Sequence, residues 1–156
     1  MRYRPLLWAA LAAFLIDQIS KYLVVHVMRV AEGSIDVLPP LLVFKYGENR
    51  GINFGLFQGD TDAARWVLIG ISLAISLGVL IWLLRSTPSK LMRFCGGLLI
   101  GGALANVLDR VLYGYVLDFL NMSCCGINNP FVFNLADVFI FAGAIGLVLF
   151  DGKKAS

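Results

Sequence analysis

The chain has 156 residues, of which 59% are hydrophobic, and its net charge is only +3. Soluble domains run about 45–50% apolar, so the excess points to a lipid bilayer, and the charge gives no support to a nucleic-acid partner. One histidine (His26) and three cysteines (Cys95, Cys124, Cys125) exclude a zinc ligand set of familiar spacing and a cysteine-rich disulfide scaffold.

Four apolar stretches are long enough to span a hydrocarbon core, which needs roughly 20 residues. They are placed at Pro5–Val25, Ala64–Leu84, Phe94–Tyr113 and Phe131–Phe150. The expected fold class is therefore an all-α membrane protein with four transmembrane helices, one domain over residues 1–156. Arg2 and Arg4 before the first stretch also suit a cleaved signal peptide, and Ala10-Leu-Ala12 supplies a small-residue pattern. That pattern comes too early, and the apolar run continues to Ile16, so the first stretch is read as retained.

Within this first span lies Asp17-Gln-Ile-Ser20-Lys21. Helical spacing puts Asp17, Ser20 and Lys21 on one face. An Asp17–Lys21 ion pair that fixes packing and a direct contact with substrate both fit. An ionisable group inside a span costs roughly 2.5–3.5 kcal/mol unless it is paired or hydrated, so each is a functional candidate.

The segment 26–63 that follows is too long for a simple turn. Ile35–Leu38 and Leu41–Tyr46 read as short strands around Pro39-Pro40, and Gly51–Phe57 as a further strand at the membrane surface. Between the second and third spans, Arg85-Ser-Thr-Pro-Ser-Lys90-Leu-Met-Arg93 makes a short basic turn. Arg2, Arg4, Arg85, Lys90, Arg93, Lys153 and Lys154 all fall on one side if the spans number four, and that side is read as cytoplasmic. Both termini are then cytoplasmic, and segments 26–63 and 114–130 are extracytoplasmic.

The third span contains Gly101-Gly-Ala-Leu-Ala-Asn106, whose small residues permit close helix approach, followed by Asp109 and Arg110. Beyond it comes Tyr115-Val-Leu-Asp118-Phe. The fourth span holds Asn134-Leu-Ala-Asp137, with Asp137 roughly 9 Å along a helix starting at Phe131. Asn134 and Asp137 are expected on one helix face. Asp118 and Asp137 thus reach a similar level near the extracytoplasmic surface.

Two close carboxyls do not both ionise cheaply, so the pair shares a proton. The ionised member takes a proton from water, and the neutral one polarises a carbonyl. That suffices for peptide hydrolysis without cofactor, metal or covalent intermediate. The single histidine leaves little for a serine–histidine dyad, and neither H-E-x-x-H nor G-x-S-x-G occurs. Two structural carboxylates, bonded to backbone or to Arg110, remain the competing reading of Asp118 and Asp137. A proton relay or small transporter also uses intramembrane carboxylates, although four spans without a repeat argue against a transporter.

The motifs Asp17-Gln-Ile-Ser-Lys21, Glu48-Asn-Arg-Gly51 with Phe54-Gly55, Gly101–Asn106 with Asp109-Arg110, Tyr115–Phe119 and Phe133–Asp137 occur in an order that resembles the lipoprotein signal peptidases (signal peptidase II). The resemblance covers nearly the whole chain. It implies an aspartic endopeptidase of the bacterial inner membrane, with Asp118 and Asp137 as the catalytic dyad. It further implies that Asp17, Lys21, Asn49, Gly51, Asn53, Asn106, Asp109, Arg110 and Asn134 bind substrate or support the site. The implied substrate is a diacylglyceryl-modified prolipoprotein, cut on the amino side of its lipidated cysteine, with membrane lipid as a partner and globomycin as an inhibitor. A non-catalytic protein that captures lipidated proteins on the same fold is the alternative.

Three departures touch substrate detail: Ala105 stands where Gly is usual, Ile52-Asn53 where small apolar residues are usual, and Asn121–Pro130 carries Cys124-Cys125 in place of an aromatic and charged run. Adjacent cysteines in an oxidising compartment are compatible with a vicinal disulfide, a link to another chain, or two reduced thiols. Cys95 is read as a small core residue.

Overall fold

The computed structural model describes residues 3–51, 61–126 and 128–151. Helix α1 (Arg4–Lys21) opens with Pro5 in its first turn, where a missing N–H costs nothing, and runs on into a π-helical segment, Tyr22–Val27. A 3-10 turn, Val30–Glu32, leads to strands β1 (Ile35–Leu38) and β2 (Leu42–Asn49). Helices α2 (Thr61–Arg85) and α3 (Lys90–Tyr113) follow. Ser89 caps α3 by accepting the Met92 N–H, and Gly114 ends it with φ of 86°. Strand β3 (Val116–Asn121) and helix α4 (Leu135–Phe150) complete the chain.

Among the described residues, three helices are long and apolar enough to cross a membrane: Arg4–Val27, Asp62–Arg85 and Lys90–Tyr113. Helix α4 is apolar but has 16 residues, about 24 Å at 1.5 Å each. It starts four residues later than the sequence suggested. The reason lies in Phe131-Val-Phe133, whose backbone prefers extended pairing. The Phe119 and Leu120 N–H groups both donate to the Phe133 carbonyl, and the Phe133 N–H donates to Leu120 O at 2.9 Å.

The sheet also differs from expectation. Its order is β1-β2-β3, antiparallel throughout, so its third strand comes from after the third helix and not from segment 26–63 alone. Register pairs Gly47 with Asp118 and Asn49 with Val116. Gly47, Asn49 and Asp118 therefore share one face, while Phe44 and Phe119 meet edge to face, 5.6 Å apart, in a core with Val24, Val30 and Leu117. The strand expected at 51–57 falls on residues outside the described set, Gly51 excepted.

Helix α3 is the centre of the bundle, packed by α1, α2 and α4. A side chain at Gly101 would run into the Ala10 carbonyl of α1, and one at Gly102 would come within 2.6 Å of the Ala136 carbonyl of α4. Without a hydrophobic drive between helices in lipid, this close backbone approach supplies the packing. Gly101→Leu is expected to lower stability by about 1–3 kcal/mol through overpacking, read as a lower unfolding temperature in detergent. An unchanged temperature would mean that α1 and α3 do not meet at this point.

Candidate active site

The polar residues inside the bundle converge on the start of α4. Asn134 is its N-cap, with φ of −132°, and its side-chain oxygen accepts the Asp137 N–H at 2.9 Å. Asp137 returns the bond by accepting the Asn134 N–H at 3.4 Å. This reciprocal capping box corrects the expectation of two side chains on one helix face: Asn134 precedes the helix, and Asp137 sits in its first turn. The N-x-x-D pattern was the available signal. Position N3 suits a carboxylate, because the helix dipole presents partial positive charge there.

The Nδ2 of Asn134 donates to Asp118 Oδ1 at 2.6 Å. One side chain thus joins the two aspartates. Asp118 lies on β3 and is 2% exposed. The Asn49 amide bonds it as well, and burial first, with Asp137 second, pushes its carboxyl up to about 7. On the other side, Asn106 Nδ2 donates to Asp137 Oδ1 at 2.9 Å.

Beneath the pair lies a buried ionic cluster. Lys21 Nζ is 2.7 Å from Asp17 Oδ2 and 2.7 Å from Asp109 Oδ2, and it donates to Asn106 Oδ1 at 3.1 Å. The Asp17–Lys21 pair is the one expected from spacing. Asp17 also accepts the Ala136 N–H at 2.8 Å, so α1 supplies a second cap for α4. Asp109 accepts the Leu117 N–H at 3.1 Å, which ties α3 to β3. Sequence reasoning missed Gln18, whose Nε2 donates to Asp109 Oδ1 at 2.8 Å. Its place beside Asp17 was the only hint.

Arg110 is half-buried at the edge of this cluster and donates to the Asn106 carbonyl at 3.4 Å. Gly51 holds φ of 96° and approaches Leu68 of α2, with its N–H donating to Asn49 Oδ1 at 3.1 Å. Asn53 lies outside the described residues. Glu48 turns away from the aspartates and pairs with Arg50 at 2.7 Å on the exposed face.

An apolar groove of about 740 Å³ runs from Asp137 along α4, past Val138, Phe141 and Ile145 to Phe150, with Cys95 in its wall. Cys124 and Cys125 are joined as a vicinal disulfide in the exposed turn between β3 and α4. The base of that turn is held separately: Asn121 Nδ2 donates to the carbonyls of Asn129 and Phe131, each at 2.8 Å. Among the described residues, no group of three His, Cys, Asp or Glu side chains is arranged to hold a metal ion.

The family model for signal peptidase (SPase) II matches residues 9–151. A lipoprotein signal peptidase of Methylorubrum extorquens is 38% identical over 147 residues, covering 94% of this chain and 85% of that protein. One from Trichormus variabilis is 38% identical over 157 residues, covering 99% and 95%. A bacterial membrane enzyme solved by the in meso method at 1.9 Å superposes with a TM-score of 0.79 at 27% identity, covering 92% of this chain and 90% of that one. With its apolar helices and this match over nearly its full length, the chain is a multi-pass membrane protein that belongs to the signal peptidase II family.

Proposed function

We propose that the chain is a membrane-embedded aspartic endopeptidase, a single domain that removes the signal peptide from diacylglyceryl-modified prolipoproteins by cutting on the amino side of the lipidated cysteine. Family membership supports the processing of prolipoproteins. The observation that carries the mechanism is the Asn134 side chain shared between Asp118 and Asp137.

In this mechanism Asp137 carries the charge, held by the helix start and by Asn106, and Asp118 carries the proton. Asp137 takes a proton from water as the oxygen adds to the scissile carbonyl carbon. Asp118 gives its proton to the carbonyl oxygen. In the second half the proton on Asp137 passes to the leaving nitrogen, the C–N bond breaks, and Asp118 recovers its proton from the tetrahedral carbon's hydroxyl. Arg110, beside both aspartates, orients the substrate backbone, as do Asn49, Gly51 and Asn53.

The site belongs at the extracytoplasmic face of the bacterial inner membrane, with both termini cytoplasmic, as the positive side of the chain argues. Helix α4 then spans with the help of Phe131-Val-Phe133 ahead of it. The apolar groove along α4 suits an acyl chain or the apolar part of the signal peptide. A globomycin-like peptide that occupies this site would block it.

The test is purified protein in detergent with two substrates, a prolipoprotein with and without diacylglycerol on its cysteine. Cleavage of the lipidated form only, blocked by globomycin, is expected. Binding without any turnover would make the chain a capture protein, and equal cleavage of both forms would sink the lipid requirement.

A further inference from the structure

Three asparagines aim amide hydrogens at the two aspartates, and in each the orientation is forced. An amide turned by half a revolution exchanges its donor for its acceptor, so whatever touches the carbonyl oxygen decides where the NH₂ group points. For Asn134 that neighbour is the Asp137 N–H at 2.9 Å. For Asn49 it is the Gly51 N–H at 3.1 Å. Both are backbone groups. For Asn106 it is a side chain: Lys21 Nζ, 3.1 Å from Oδ1.

We propose that Lys21 is a positioning residue of the peptidase site, acting through Asn106 to hold its amide donor on Asp137. This inference rests on the dyad reading given above. An ammonium has three N–H groups and accepts nothing. Those of Lys21 are taken by Asp17, Asp109 and Asn106, and its side chain is 3% exposed. Turning the Asn106 amide over would set its NH₂ against the ammonium and against Asn134 Nδ2, which also reaches Oδ1 at 3.3 Å. It would also set the carbonyl oxygen against the Asp137 carboxylate. Removing Lys21 leaves only the weaker Asn134 contact to hold the orientation.

The ion pairs of Lys21 with Asp17 and Asp109 are structural in themselves, so the experiment separates the two roles by a double-mutant cycle. Lys21→Gln is made in the wild-type chain and in Asn106→Ala, and cleavage of a diacylglyceryl prolipoprotein is followed. Each single variant is expected to lower kcat by about 100-fold with KM within about threefold, because misplacing a reacting group costs rate before it costs binding. In the Asn106→Ala background, Lys21→Gln is expected to lower kcat by less than about twofold. A second full loss in that background, or an unchanged kcat in the single variant, overturns the proposal. If Lys21→Gln does not fold, the charge-neutral pair Lys21→Met with Asp109→Asn takes its place, with Asp109→Asn as reference and the same two outcomes. Asp137→Asn is run alongside. Activity in that variant would sink the dyad reading, whereas an additive cycle beside an inactive Asp137→Asn sinks the role of Lys21 alone.

Discussion

Asp118→Asn and Asp137→Asn are each expected to lower kcat for prolipoprotein cleavage by about 10³-fold or more, while folded protein is still recovered. The two losses have different causes. Asparagine at 137 still offers an oxygen to the Asn134 N–H and the Asn106 amide, but it does not take a proton from water. Asparagine at 118 still accepts from Asn134 Nδ2, but it has no acidic proton for the carbonyl oxygen. Full activity in either variant would remove that residue from the reaction.

The raised carboxyl of Asp118 gives a pH dependence with a definite sign. Its value rises from 3.8 to about 7 on folding, chiefly by burial. The folded state thus binds the proton more tightly than the unfolded chain. The resulting stability is fully present below pH 3.8 and is lost as the pH rises towards about 7. Activity that needs the Asp118 proton should fall as the pH rises through about 7. Asp118→Asn removes the titration, so its unfolding temperature should exceed that of the wild type in alkaline buffer. An inactive variant that is also less stable there would mean that the Asp118 charge is well accommodated in the fold.

Much of the site was legible because its chemistry is conspicuous in an apolar chain. Asp17 and Lys21 are four apart on one helix, and their pairing follows from spacing alone. What spacing does not give is the partner from another helix. Lys21 meets Asp109 and Asn106, which lie 88 and 85 residues further along, and nothing local in either segment points to the other. Gln18 is hidden for the same reason: its function is a bond to Asp109, and a glutamine beside an aspartate carries no charge signal of its own.

The start of α4 is hidden in the sequence for a reason specific to membranes. In water, a change from period two to period 3.6 marks where strand gives way to helix. In a segment facing lipid and protein at once, every position is apolar and the period fades. Phe131-Val-Phe133 and Leu135–Phe150 therefore read as one run. The polar Asn134 inside it is the true boundary, recognisable by the aspartate three residues on. Strand β3 is hidden for a different reason: the third span ends at Tyr113 as expected, but Val116–Asn121 has apolar residues on both faces and no strand alternation to mark it. With the start of α4 moved and β3 in place, Asp118 lies on a strand and Asp137 in a first helical turn, and Asn134 bridges them.

Asp17→Ala is expected to be the most destabilising change outside the dyad, by about 3–5 kcal/mol, since it takes one carboxylate from a buried ion cluster. The side chain is 0% exposed and serves two elements at once. Its Oδ2 pairs with Lys21 and its Oδ1 caps the Ala136 N–H. Alanine would leave the Ala136 N–H without that acceptor, loosen the start of α4, and move Asp137 with it. Asp17→Asn keeps an acceptor for Ala136 and should cost less, while still weakening the hold on Lys21. Thermal unfolding in detergent, read beside kcat of the folded fraction, separates the effects. If the cap is what matters, the asparagine variant recovers most of the stability lost in the alanine variant. If the charge is what matters, both variants unfold at the same lowered temperature, and α4 is then held by its own capping box without help from α1.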